Sequence, residues 1–476
     1  MITSIIWSFL EQGGSKLIQL VIQLVMARIL SPEAFGILAI LLVFISLADS
    51  IAQSGLGMAL IQRNSADIRE YSTAFWLSLG LATLMYTALW FAAPAVAFFY
   101  KQFDLELLLR VLGLVVFFNS INSIQRSILQ IKMEFKKIFK TSCIAMLLSG
   151  LLGITAAVLG FGIWALVVQV LCLGLFTCIA FLLVVPRKPM FYIDWSSAKG
   201  MYCYGWKICV TGILNVFYSG VSELIIGKVC SVTDLGFYSQ GRKWPNAAIS
   251  LINNGLQNVF FPVFSSLKGK SEEFVATVKR ALVSGTYITA PLALFFAVAS
   301  EPTVDLLLGQ QWLPCVPVFQ SICVSCSLTL VQIVNLRAYM ALGDSGLYMR
   351  LQIIKVVLSV MAIGFAAIVT RNINIVAWVT AGMSILAVLF IDMQPAKRMY
   401  GYARLNQLKD IAPIFFLSGL SCVIIIFFNN FVSFSSFFTL MLNFVLFFGI
   451  YFFSSWVLKL SGLRDCLVII RKIIKK

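Results

Sequence analysis

The sequence predicts an all-α polytopic membrane protein of about 14 transmembrane helices, with two pseudo-symmetric six-helix lobes around a central cavity plus two C-terminal helices. Three observations carry this expectation. Of 476 residues, 60% are hydrophobic and only 12% charged, against roughly 25% charged in an ordinary soluble domain, which excludes a soluble globular protein. Apolar stretches of bilayer-crossing length, about 20 residues, follow one another almost from end to end. The net charge of +17 comes with no histidine at all, which removes imidazole triads, proton shuttles and His-ligated metal sites. No catalytic residue, metal site or cofactor is expected.

Hydropathy and helix-breaking residues place the first six spans near 5–29, 35–61, 73–99, 106–131, 141–159 and 162–185. The opening MITSIIWSFLEQGGSK has neither a basic n-region nor a small-residue cleavage site, so it reads as a first membrane helix and not as a removable signal. After a basic loop, six more spans follow near 203–227, 235–264, 278–307, 313–342, 347–370 and 374–394. A last pair lies near 411–428 and 435–458. The chain thus divides into an N-lobe (1–186), a cytoplasmic linker (187–200), a C-lobe (201–394), a cytoplasmic loop (395–410), a terminal helix pair (411–460) and a basic cytoplasmic tail (461–476).

Cytoplasmic loops collect Lys and Arg, and here the bases fall on alternate loops. Lys132, Lys136, Lys137 and Lys140 lie on the same side as Arg187, Lys188 and Lys199, as Lys268, Lys270, Lys279 and Arg280, and as Lys397, Arg398, Arg404 and Lys409. Arg471, Lys472, Lys475 and Lys476 join them, and the opposite loops offer little beyond Arg28, Lys101, Arg110, Lys228 and Arg371. Both termini are therefore expected in the cytoplasm. The positive charge is a topology signal and an attraction to anionic membrane lipid, and nucleic acid is not an expected partner. The eleven cysteines are scattered. Cys323 and Cys326 form a C-x-x-C in mid-span without a second pair, which reads as packing and not as redox or metal chemistry.

A shift of 200 residues sets Ile29-Leu-Ser-Pro-Glu-Ala-Phe-Gly36 against Val229-Cys-Ser-Val-Thr-Asp-Leu-Gly236, and Ser54-Gly-Leu56 against Asn254-Gly-Leu256. The same turn falls between the first and second helix of each half, which predicts a duplicated six-helix unit. Six is even, so both copies enter from the same side and are related by an axis along the membrane normal, an arrangement that suits alternating access.

Polar residues fall in stripes on corresponding helices. Gln12, Lys16, Gln19 and Gln23 lie within about 60° of one another on a 3.6-residue helix. The second span carries Ser46, Asp49, Ser50 and Gln53, and the fourth carries Asn119, Asn122, Ser123, Arg126 and Gln130. In the second half Lys207, Thr211, Asn215, Ser219 and Ser222 form one stripe, and Arg242, Asn246, Ser250, Asn253 and Gln257 another. Such faces do not meet lipid, so they are expected to line a central cavity.

The interior charge is lopsided: Lys16, Arg126, Lys207, Arg242, Lys243, Arg337 and Lys355 stand against mainly Asp49 and Glu223. A cationic cavity is completed by a phosphate or carboxylate ligand, which nominates Lys16, Arg126, Lys207, Arg242 and Arg337 as substrate-binding bases. The competing reading is structural, with Lys16, Arg126, Lys207 and Lys355 snorkelling to the interface and Arg337 paired with Asp344. Asp49 and Glu223 are candidate coupling residues for H+ or Na+, or else salt-bridge partners of bases such as Lys16 or Lys207. Export of a negative head group is also assisted by the membrane potential alone. The phenylalanine-rich last pair of spans reads either as a groove for a lipid tail or as a lipid-facing cover.

ARILSPEAFGILAILLVFISLADSIAQSGLGMALIQR (27–63) and TDLGFYSQGRKWPNAAISLINNGLQNVFFPVFSSLKG (233–269), with YSTAFWLSL (71–79) and GFGIWALV (160–167), resemble the polysaccharide transporter family of Wzx-type, WzxC-like flippases. That family belongs to the multidrug/oligosaccharidyl-lipid/polysaccharide exporter superfamily. The resemblance implies two six-helix lobes around a cavity, with two extra helices as in the related lipid II flippases. It also implies transfer of undecaprenyl-diphosphate-linked oligosaccharide from the cytoplasmic to the periplasmic leaflet of a bacterial inner membrane, for O-antigen, capsule or exopolysaccharide. The basic residues above would hold the diphosphate, and Gln, Asn, Ser and aromatic side chains the sugar. Other polysaccharide assembly proteins would be its partners. The rivals are a drug/cation antiporter of the same superfamily, which prefers an acidic cavity, a glycan polymerase or ligase, which needs a large periplasmic loop, and a passive scaffold, which leaves the polar stripes unexplained.

Overall fold

The computed structural model describes residues 2–63, 67–185, 189–267, 269–431, 435–460 and 462–464. They are largely helical, with no strand among them. Among the described residues, twelve helical stretches, three of them made of more than one helix, are long and apolar enough to cross a membrane, and large side chains such as Phe98, Leu183, Phe365 and Phe416 stand outward. A bilayer, and not water, solvates such a surface, so the chain is a multi-pass membrane protein. It forms two compact units, Met1–Gly236 and Phe237–Lys476.

The first unit runs through α1 (Ile2–Ile29), α2 (Pro32–Gln53), α3 (Leu56–Arg63), α4 (Ile68–Tyr100), α5 (Asp104–Leu112), α6 (Val115–Ile131), α7 (Phe135–Val158), α8 (Ile163–Val184) and α9 (Trp195–Val229). Helices in lipid gain no hydrophobic drive toward each other, so close approach across small residues replaces it. A Cβ on Gly150 would meet the Ile22 side chain at 2.4 Å, and one on Gly153 would meet Gln169 at 2.6 Å, which seats α7 on α1 and α8. The expected span 35–61 breaks after α2, where Ser54 and Gly55 take left-handed φ of 41° and 66°. Gly55 is required twice over, since its missing Cβ would lie 2.8 Å from the Gly205 carbonyl oxygen of α9. The expected span 106–131 likewise divides into α5 and α6 at Gly113–Leu114. Asp194 caps α9 by accepting from the Ser196 and Ser197 N–H groups. The Ser197 hydroxyl, donating at 2.6 Å, is the main reason its carboxyl lies below the usual carboxylate range.

Compactness groups α9 with the first eight helices, whereas the internal repeat assigns the same stretch to the second half. The seam explains the grouping: Gly220 admits Val43 of α2, and Gly205 admits the Ser54 carbonyl.

The second unit contains α10 (Val232–Ser266) from its second turn onward, α11 (Ser271–Val298), α12 (Ser300–Leu307), a 3-10 turn (Gln310–Cys315), α13 (Val316–Cys326) and α14 (Thr329–Leu342). There follow α15 (Ser345–Thr370), α16 (Ile373–Leu386), a π-helical segment (Ala387–Asp392), α17 (Ala396–Tyr400), α18 (Arg404–Asn429) and α19 (Ser436–Val457). Its core joins Phe264, Phe274, Val278, Leu282, Val331, Val334, Tyr339 and Tyr400. The stretch 395–410, expected as a loop, is largely helical and tied down. Tyr400 donates to Asn335 Oδ1 at 2.7 Å, the Asn335 and Gln407 amides exchange hydrogen bonds at 3.0 and 3.2 Å, and Lys279 pairs with Asp410 at 2.8 Å. A buried polar network of this kind holds only when its members are satisfied together, so it fixes α17 and α18 on α11 and α14. The expected basic tail 461–476 lies outside the described residues except for 462–464.

Candidate functional site: buried polar faces of the two units

In the first unit the expected stripes of α2 and α6 meet. Asn119 donates to Asp49 Oδ2 at 2.7 Å, and Asn122 donates to the Gly174 carbonyl of α8 at 3.1 Å. Both pairs are built by the fold: one turn of α6 separates Asn119 from Asn122, so the same face reaches two different neighbours. Gln125, beside them, donates to the Tyr71 hydroxyl at 2.8 Å. Several buried oxygens of this unit have no hydrogen-bond partner among the described residues: Asp49 Oδ1, Asn122 Oδ1, Gln125 Oε1 and Gln23 Oε1. All are acceptors, so what they lack is a donor or a cation.

Lys16 and Gln19 are half-buried on α1, and Lys16 makes no ion pair among the described residues. Gln12 and Lys207 stand in helices, but their side chains lie outside the described residues. Asn215 is exposed and Glu223 half-buried on α9. Asp49 forms no salt bridge with Lys16 among the described residues, and Asn119 holds its Oδ2 instead; a pairing with Lys207 lies outside the described residues.

Arg126 of α6 is not a lone cation. Its Nη2 lies 2.5 Å from Glu11 Oε1 of α1. The lopsided interior charge is corrected accordingly, because a second acid also faces a base. Lys355 of α15 pairs with Asp392 at 2.8 Å, with 1% and 0% of the two side chains exposed. Gln332 donates to the other Asp392 oxygen at 3.1 Å, and the Tyr339 hydroxyl to its carbonyl at 2.6 Å. Sequence carries a signal for both acids: Glu11 falls within the expected span 5–29 and Asp392 within 374–394. Each escapes because it stands off the polar stripes, and its partner is more than 30 residues away.

The second unit joins two more nominated residues. Arg337 Nη2 donates to Gln257 Oε1 at 2.9 Å. The pairing weighed between Arg337 and Asp344 does not form, since Asp344 instead caps α15 by accepting from the Leu347 N–H at 2.8 Å. Asn246 donates to the Arg242 carbonyl at 2.8 Å and accepts from Cys326 at 3.5 Å. Asn253 is buried, and its Oδ1 has no partner among the described residues. Cys323 and Cys326 are both buried free thiols, and no group of three or more metal-binding side chains occurs among the described residues.

The arrangement offers bases held by neutral or acidic partners, and carbonyl-type acceptors, on helices inside a membrane. A guanidinium suits an anion, and an unmet carboxylate oxygen such as Asp49 Oδ1 suits a donor or a cation. Known proteins agree with the architecture. The chain is 24% identical over 306 residues to the succinoglycan biosynthesis transport protein ExoT of Rhizobium meliloti (strain 1021), covering 64% of this chain and 62% of that one. It is 25% identical over 346 residues to the teichuronic acid biosynthesis protein TuaB of Bacillus subtilis (strain 168), covering 71% and 70%. With the lipopolysaccharide biosynthesis protein WzxC of Escherichia coli (strain K12) it shares 24% over 308 residues, 63% and 61% of the two chains. The chain thus spans less than two thirds of the length of ExoT and WzxC.

Among solved structures, the lipid II flippase MurJ in an inward closed conformation superimposes with a TM-score of 0.72 at 13% identity, covering 96% of this chain and 99% of that one. An inward-facing multidrug resistance MATE family transporter of the MOP superfamily gives 0.61 at 15%, covering 84% and 95%. These likenesses give the fold. The profile of the family described as "Polysaccharide biosynthesis protein" matches residues 25–317, and the chain belongs to that family.

Proposed function

We propose that the protein is a flippase that moves undecaprenyl-diphosphate-linked oligosaccharide from the cytoplasmic to the periplasmic leaflet of a bacterial inner membrane, by alternating access, for surface polysaccharide synthesis. The observation that carries this reading is the half-exposed Arg126 on the polar face of a membrane-spanning helix, in a chain of the polysaccharide biosynthesis family. An intramembrane base is costly to keep and marks a substrate path, and a guanidinium fits the oxygens of a diphosphate. Lys16, Arg242 and Arg337 extend the basic set, and the amides along α6 and α10 suit sugar hydroxyls. Names of relatives that refer to succinoglycan transport and lipopolysaccharide biosynthesis support a polyprenyl-linked glycan as cargo.

The unpartnered Asp49 Oδ1 supports coupling to H+ or Na+ there, with the membrane potential acting on the anionic head group in either case. In this reading α1 and α10 also cross the bilayer, which makes fourteen spans with both termini in the cytoplasm. Other polysaccharide assembly proteins work beside it in this reading.

Deletion of the gene, followed by extraction of lipid-linked oligosaccharides and separate assay of surface polysaccharide, tests the reading. Completed oligosaccharide should accumulate on the inner leaflet while surface glycan is lost. Unchanged glycan with altered drug tolerance would replace the flippase by the antiporter of the same superfamily.

A further inference from the structure

Among the described residues, the ion pairs Lys355–Asp392 and Arg126–Glu11 each join two helices, and they are built for different purposes. That of Lys355 and Asp392 is closed: both side chains are fully buried, and each carboxylate oxygen has its own donor. That of Arg126 and Glu11 is open on one side. Glu11 is 10% exposed and Arg126 41%, and a single carboxylate oxygen holds a single nitrogen of a group that carries five N–H donors. Asn122 and Ser123 stand one turn before Arg126 on the same helix, so its free donors belong to the polar face already described.

Resting on the flippase reading above, the geometry points to Glu11 as a resident counter-ion of the Arg126 anion site, displaced when the substrate's diphosphate arrives. Glu11 Oε1, at 2.5 Å from Nη2, occupies the place a phosphoryl oxygen takes in a charge-assisted contact. Between cargoes the carboxylate keeps the guanidinium from standing uncompensated in the membrane. During transport it competes with the diphosphate, so the bound anion is held weakly enough to leave, as any conducting site requires. Glu11 is thus a positioning residue that sets affinity through Arg126. No bond is made or broken, and the exchange conserves charge at the guanidinium.

The test uses the full chain in lipid nanodiscs with geranylgeranyl diphosphate as probe and geranylgeraniol as its uncharged control. Glu11→Gln should tighten diphosphate binding about tenfold, the order one charge-assisted hydrogen bond carries, and leave the alcohol unchanged. In cells it should lower KM and kcat for transport together, because release slows. Glu11→Asp should return affinity toward the native value. Arg126→Gln should weaken diphosphate binding, and Glu11→Gln added to it should bring no tightening; this double variant strands no charge and therefore keeps the test open if a single variant misfolds.

Diphosphate binding that is unchanged or weakened by Glu11→Gln, or a tightening that survives without Arg126, overturns the proposal. A native chain that binds no diphosphate, in a strain whose deletion still accumulates oligosaccharide, overturns the exchange and leaves the flippase reading intact. Tightening by Glu11→Gln in a strain whose deletion spares the glycan supports the exchange for another anion and removes the flippase reading.

Discussion

Lys355 and Asp392 show how a buried charge is held by a fully enclosed partner, with Gln332 on the second carboxylate oxygen. The pair is enclosed by α14, α15 and the π-helical segment, and removing one member leaves the other buried and uncompensated. Lys355→Met should therefore destabilise the purified protein by about 3–5 kcal/mol, read as a large fall in its unfolding temperature. Lys355→Met with Asp392→Asn removes both charges and should recover most of the loss. A single variant as stable as the native protein would mean that water reaches Asp392. At this scale helical spacing makes the stripe residues Asp49, Asn119 and Gln257 legible, as interior charge makes Arg337. The fold joins Asp49 to Asn119 and Arg337 to Gln257, and all four were legible. Glu11 was not, although it adjoins Gln12 in sequence. One residue turns a helix by about 100°, which sets Glu11 off the stripe and toward Arg126, and no spacing rule within α1 announces a partner on α6.

Among the elements, the seam at the start of α2 and α10 turns the sequence repeat into a physical contact. A Cβ on Gly36 would lie 1.9 Å from the Val232 carbonyl oxygen, and one on Gly236 would lie 1.9 Å from the Pro32 carbonyl oxygen. The two contacts exchange under the same 200-residue shift that aligns the halves. Backbone meets backbone here, so no side chain can yield. Gly36→Ala should force the two helix starts apart and cost about 1–3 kcal/mol of stability, the usual range for overpacking. Gly80→Ala is the control: nothing lies within 4 Å of its Cβ, and in mid-helix α4 it should be neutral or stabilising by about 1 kcal/mol. Equal unfolding temperatures for the two variants would show that the seam is looser than its geometry. Element existence was readable from hydropathy, but breaks inside spans were not. The interruptions between α2 and α3 and between α13 and α14 save no apolar length; they answer to neighbours, as Gly55 answers to Gly205.

For the whole molecule, composition was enough to read the membrane class, and twelve of the spans read from hydropathy have a counterpart among the described residues. The two expected spans beyond these, 5–29 and 235–264, correspond to α1 and α10, which at 28 and 35 residues exceed the roughly 20 needed to cross. They are also where Glu11, Lys16, Arg242 and Lys243 sit, so the residues that make them interesting are those that lower their apolarity. If both cross, a fluorescent reporter inserted at Ser31 or Ser231 should lie outside the cytoplasm and remain dark. The same reporter at 64–66 or 267–269, and at either terminus, should be bright. Lys101 and Lys137 flank the fifth and sixth helices and should report dark and bright respectively, as the loop charges require. A bright reporter at Ser231 together with a bright one at 267–269 would mean that α10 does not cross. The polar face of α10 would then lie at the membrane surface, and Arg242 and Asn253 would leave the substrate path that the flippase reading assigns to them.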